Sequence, residues 1–176
     1  MKNKMMIAML AIGSTLATTH AFAAAGTVNF NGNILDSACD VDVASQNQVV
    51  VLGDYYKTEF PTTGARTAAT QFNIVLKNCP VTVTSAKVHF DGTPDATNAS
   101  LLAIDSSAAG AATGVAINLM TADKADLPLH GSNSYSYVLS STADNTLSFY
   151  AQYISTAATV TAGPANSVAN FSVIYN

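Results

Sequence analysis

The sequence predicts an all-β protein, an antiparallel sandwich or barrel. Three observations carry this. Short apolar or alternating segments recur along the chain, polar turns separate them, and no long segment has helical periodicity. The segments are Gln48–Leu52, Gln71–Lys77, Lys87–Phe90, Leu101–Ile104, Val115–Met120, Tyr135–Leu139, Leu147–Ile154 and Val168–Tyr175. Turn residues stand between them, including Thr93-Pro-Asp95, His130-Gly-Ser-Asn133, Asp144-Asn145 and Gly163-Pro164. The Ala-rich loop from Ser107 to Thr113 has room for a helical turn, limited by Gly110 and Gly114.

The first residues read as an address. Met1-Lys-Asn-Lys4 is a basic start, Met5 to Ile12 is an apolar run, and Ala21-Phe-Ala23 fits an A-x-A cleavage site. Residues 1–23 are therefore expected to be a secretory signal peptide, the apolar run being too short for a membrane span. Removing Lys2 and Lys4 leaves five basic residues against eleven acidic ones, a formal charge of −6. An acidic chain of this kind is not built for nucleic acid or for electrostatic docking to an anionic membrane. The remaining length suits one domain with its own core.

Cys39 and Cys79 are the two cysteines. An even count in an exported chain points to a disulfide, with free thiols as the alternative. Closing a loop of roughly 40 residues stabilises by about 4 kcal/mol in the chain-entropy account. A metal site at the cysteines is disfavoured, because there is no C-x-x-C pair.

Catalytic motifs are absent: no G-x-S-x-G, no P-loop, no H-E-x-x-H. His89 lies in a strand pattern and His130 beside Gly131 in a turn; each reads as a surface or edge residue rather than a base. Asp40-Val-Asp42 is a weak calcium signal and reads better as a solvated strand face. The sequons at Asn98 and Asn170 mean little without a glycosylating compartment. No cofactor is expected.

Two segments at opposite ends stand out. In Gly26-Thr-Val-Asn-Phe-Asn-Gly-Asn-Ile-Leu35, Val28, Phe30, Gly32 and Ile34 share one edge and Asn29, Asn31 and Asn33 the other. In the last segment, Ala169, Phe171, Val173 and Tyr175 share one face. Each is an amphipathic strand that needs a groove or a neighbour.

Taken together, these segments resemble the subunits of chaperone–usher pili, close to the type 1 fimbrial major pilins. The residues that carry the resemblance are the Gly26–Ile34 segment with Cys39 after it, Asn78-Cys79-Pro80, Gly163, the alternating Ala169-Phe171-Val173, and penultimate Tyr175. The resemblance implies an incomplete immunoglobulin-like sandwich that lacks its final strand. It implies that Cys39 and Cys79 pair. It also implies that a periplasmic chaperone lends the missing strand, that an outer-membrane usher handles assembly, and that a neighbouring subunit's N-terminal extension then replaces the chaperone. Residues 24–36 would be that extension and 37–176 the pilin domain. Val28, Phe30, Gly32 and Ile34 would enter the pockets, and Gly163, Ala169, Phe171, Val173 and Tyr175 would face the chaperone or the next subunit. The product would be a surface fibre for adhesion, not an enzyme. A linker subunit near the tip is the alternative, since the stretch between Ala23 and Cys39 is short; a monomeric exported binding module is a more distant one.

Overall fold

The structure, a computed structural model, describes residues 26–32, 34 and 38–176. The expected signal peptide, and Asn33 and Leu35–Ser37 of the expected extension, lie outside the described residues. The chain divides into two units, 1–34 and 35–176. In the first, residues 26–32 and 34 have no regular secondary structure. Val28, Phe30 and Ile34 are 74%, 92% and 100% exposed.

The second unit is built from antiparallel strands. They are β1 (Asp40–Val41), β2 (Thr70–Lys77), β3 (Ser85–Gly92), β4 (Leu102–Ala103), β5 (Val115–Met120), β6 (Tyr137–Val138), β7 (Asn145–Ser155) and β8 (Ala169–Tyr175). One sheet runs β1-β2-β7-β5-β4 and the other β6-β3-β8. Inward residues of both sheets form one core, in which Ile74, Leu76, Val88 and Phe149 are fully buried. Aromatic rings bridge the sheets: Phe149 of β7 lies 5.2 Å from Phe90 of β3 and 5.3 Å from Tyr137 of β6, centroid to centroid. This is an immunoglobulin-like sandwich whose smaller sheet has three strands among the described residues.

Seven of the eight expected strands form, with ends shifted by a few residues. Gln48–Leu52 does not: it joins no ladder. The edge of β2 it would join is met in other ways: β1 pairs with Leu76 and Lys77, Asp42 N–H donates to the Val75 carbonyl, Val75 N–H donates to Ser45 Oγ, and the Gln48 side-chain amide takes the Asn73 carbonyl. Val49 and Val51 point outward, 89% and 76% exposed, while Leu52 packs on the core. The Ala-rich loop forms turns and no helix. A helical turn forms instead at α1 (Val43–Gln46), where the Asp42 carboxylate accepts from the Ala44 N–H at 3.2 Å as an N-cap. Asp42 therefore caps a turn instead of lining a strand, while Asp40 sits in β1.

Cys39 and Cys79 are disulfide-bonded. They flank the short β1–β2 ladder, in which Asp40 faces Lys77. Asn78 takes a positive φ of 52°, which asparagine tolerates, and donates to the Asp40 carboxylate at 2.9 Å. That backbone turn carries Cys79 out of β2 and back under Cys39.

Candidate functional site: an apolar groove beside a strand paired on one edge

β8 pairs with β3 along its length, from Gly92↔Ala169 to Ala86↔Tyr175, and with no other strand among the described residues. Its second edge therefore leaves backbone N–H and C=O groups without a ladder. Beside that edge lies a groove of about 1190 Å³. Its floor comes from both sheets: Phe72 and Ile74 of β2, Phe90 of β3, Ile117 and Leu119 of β5. One bank is the unlabelled segment 46–55; the other is 160–171.

Each bank is held from behind. On the first, the Gln48 side-chain amide donates to the Asn73 carbonyl at 3.2 Å, and Tyr55 packs edge-on against Tyr153. On the second, Ala112 N–H donates to the Pro164 carbonyl at 2.9 Å and Asp105 N–H to the Asn166 carbonyl at 2.7 Å. Ser167 Oγ–H donates to the Ala103 carbonyl at 2.5 Å. Residues 164–167 are thus tied to the larger sheet before the chain enters β8 in the smaller one. Neither bank can close over the groove without giving up these bonds.

Gly163 makes the second bank possible. Its φ is +156°, and a Cβ there would collide with the Gly110 carbonyl oxygen and come within 2.7 Å of the Ala112 nitrogen. Both are backbone atoms, so no side chain can move aside. Only glycine lets 163 lie on the 110–112 loop.

The inward residues of β8 are only partly covered. Ala169, Phe171, Val173 and Tyr175 are all of intermediate burial and pack on the edge of the core. Phe171 lies 6.4 Å from Phe90, centroid to centroid. The Tyr175 hydroxyl donates to the Cys39 carbonyl at 3.3 Å, and burial pushes its pKa up. Ala169 and Phe171 line the groove directly, as does Gly163. Of the lining side chains only Asp54 and Lys57 are charged. A slot of this kind has no acid–base machinery; it suits an extended, apolar strand that can hydrogen-bond to β8.

The structure brings Gly163, Ala169 and Phe171 to one groove, and the disulfide with Tyr175 to the start of the domain. Val28, Phe30, Gly32 and Ile34 are exposed in their own unit. A Cβ built on Gly32 meets nothing within 4 Å. Sequence reasoning missed the floor residues and the 46–55 bank. Phe72 and Ile74 carry the right alternation, but nothing local distinguishes a residue under a groove from one under a strand.

The family profile described as "Fimbrial protein" matches residues 28–176. The chain belongs to that family. It is a structural subunit of a surface fimbria. The type-1 fimbrial protein A chain of Escherichia coli strain K12 is 38% identical over 99% of this chain and 100% of that relative. The probable major fimbrial subunit LpfA of E. coli O157:H7 is also 38% identical, over 98% of this chain and 96% of its own. Among solved structures, the Burkholderia pseudomallei antigen and type I fimbria protein BPSL1626 superposes with a TM-score of 0.60 at 37% identity. That match covers 80% of the fimbrial subunit described here and 91% of the other chain. A subunit from a chaperone–usher pilus superposes at 0.66 with 26% identity, over 93% of this subunit and 100% of that chain. No helix among the described residues is long and apolar enough to cross a membrane.

Proposed function

We propose that this subunit polymerises by donor-strand exchange, Val28, Phe30, Gly32 and Ile34 of one copy entering the groove beside β8 of the next. The unpaired edge of β8 above an apolar floor is the observation that carries this reading. The donor face spans seven residues, as does β8. At about 3.3 Å per residue, alternate side chains fall roughly 6.6 Å apart, a spacing that puts one in each successive pocket of a groove. Burying Val28, Phe30 and Ile34 would gain roughly 1.5–3 kcal/mol each before ordering costs. Such a contact is head-to-tail and does not close, so it builds a filament.

Before assembly the same groove takes a strand lent by a periplasmic chaperone, and an outer-membrane usher passes the subunit outward. The signal-like residues 1–23 and the pilus setting of the 26%-identical relative support this route. Residues 24–36 act as the extension and 37–176 as the domain that accepts it. The subunit has a structural role without catalysis, in a fibre that serves adhesion. Relatives described as A chains and as a probable major subunit favour the shaft of the fibre over a linker near the tip.

The test is a pair of substitutions on opposite edges of one segment. Gly32→Val should abolish fibres while the chaperone-bound subunit persists, because overpacking a closed pocket costs about 1–3 kcal/mol or more. Asn31→Val, on the opposite edge, should leave most fibre in place. Fibres and chaperone complexes are separated on gels without boiling. Wild-type fibre levels from Gly32→Val would overturn this docking.

A further inference from the structure

Apart from His20 in the leader-like segment, the chain has two histidines, and the fold brings both onto one carboxylate. β3 places His89 and Asp91 two residues apart on its outer face. His130 arrives from the turn after β5. Its backbone N–H donates to the Phe90 carbonyl at 3.1 Å, and its φ is +56°. Gly131 lets that turn close, since a Cβ there would meet the Pro128 Cβ at 2.8 Å.

His89 Nε2 lies 3.1 Å and His130 Nδ1 3.0 Å from the same oxygen, Asp91 Oδ1. The far nitrogens are already committed. His89 Nδ1–H donates to the Gly131 carbonyl at 3.0 Å, and His130 Nε2–H donates to the Gly92 carbonyl at 2.9 Å. These carbonyls select the tautomers. In the neutral rings, both near nitrogens then turn lone pairs toward an anionic oxygen. That arrangement repels itself unless positive charge sits between the three atoms.

Imidazoles oriented through the far N–H onto backbone carbonyls are the usual outer support of histidine metal ligands. The ligand spacing also fits. Zinc bonds of about 2.0–2.1 Å in a tetrahedron put ligand atoms about 3.3 Å apart, close to the contacts found here. Two imidazole nitrogens and one carboxylate suit zinc, copper or nickel and do not suit calcium or magnesium. The side chains are 24%, 48% and 46% exposed for His89, Asp91 and His130, so solvent can reach the site and water can complete the coordination.

We infer that His89 Nε2, Asp91 Oδ1 and His130 Nδ1 bind one divalent transition-metal ion of the zinc class in each subunit. The ion would pin the 130–131 turn to the outer face of β3, the strand that carries β8.

The test uses fibres sheared from cells, stripped with EDTA and dialysed against Zn²⁺ at neutral pH. Elemental analysis should find one Zn²⁺ per subunit in the wild type. His130→Asn keeps a residue that tolerates positive φ and removes one ligand; its affinity should fall at least 10-fold. Asp91→Asn should weaken binding in the same direction. Co²⁺ in place of Zn²⁺ should give visible ligand-field bands in the wild type that His130→Asn lacks. Circular dichroism of the variants checks that the fold is kept. Equal Zn²⁺ uptake by wild type and His130→Asn would overturn the site, and so would a wild type that takes up none.

Discussion

β7 and β8 carry nearly the same pattern and meet different fates. In β7, Leu147, Phe149, Ala151 and Tyr153 alternate; in β8, Ala169, Phe171, Val173 and Tyr175 do. β7 is paired by β2 along Asn145–Ala151 and by β5 along Tyr150–Ser155, and Leu147 and Phe149 are 1% and 0% exposed, Phe149 lying under Phe90 and Tyr137 of the other sheet. β8 is paired on one side, and each of its inward residues stays partly exposed. A period of two says which face of a strand is dry. What packs over it from the other sheet and along the free edge says whether that face is sealed. β7 is the finished half of this sandwich and β8 the half that waits for a strand.

The strongest way to break the contrast is to supply that strand. Joining a copy of residues 26–35 to the chain after Asn176 through a flexible linker should place a neighbour beside β8. The gain expected from burying three large apolar side chains is on the order of several kcal/mol after ordering costs. Chemical denaturation should show a clearly higher midpoint, and the fused subunit should no longer enter fibres. An unchanged midpoint would mean the groove does not accept this segment.

Truncating matched aromatics sharpens the contrast. Phe149→Ala in the sealed strand should cost about 3–5 kcal/mol. Phe171→Ala in the open strand should cost about half of that in the unfused subunit, because less of its ring is buried. In the strand-fused subunit the Phe171→Ala penalty should rise toward the Phe149→Ala value. Equal penalties in the unfused chain would show that β8 is already sealed.

A smaller effect is expected from Tyr175→Phe. It removes the hydroxyl that ties β8 to the Cys39 carbonyl, worth about 0.5–1.5 kcal/mol by equilibrium unfolding. The disulfide itself should stay intact on thiol alkylation.

The smallest effect belongs to the finished sheet. Arg66 makes a two-pronged ion pair with Asp126, both contacts 2.8 Å, and buried Asn118 donates to the same carboxylate. The Arg66 guanidinium holds the Asp126 pKa below the ordinary carboxylate value. The unfolded chain therefore binds this proton more readily, and the pair's contribution is full above about pH 4 and fades as pH falls through the lower folded value. Both partners are largely solvent-exposed, so the contribution at neutral pH is under about 1 kcal/mol. Asp126→Asn should flatten the loss of stability with acid below about pH 4 and change little at pH 7. An unaltered acid slope would show that the pair contributes nothing.

Much of this was legible in the sequence. Alternation is a local property, so seven strands could be read from neighbouring residues alone. The disulfide was legible because an exported chain with two cysteines has one intramolecular pairing. The amphipathic character of Gly26–Leu35 and of β8 was equally plain, as was the glycine at 163. The packing decided the rest. Gln48–Leu52 has strand composition, but the edge of β2 beside it is met by β1, the α1 turn and the Gln48 side chain instead. Gly163 has its reason in the backbone of 110–112, about fifty residues away in the chain. His89, Asp91 and His130 read singly as surface residues, and only the return of the turn to β3 sets them around one oxygen. The open edge of β8 was decided in the same way. Pattern is written residue by residue along the chain, whereas neighbours are chosen through contacts between segments far apart in it.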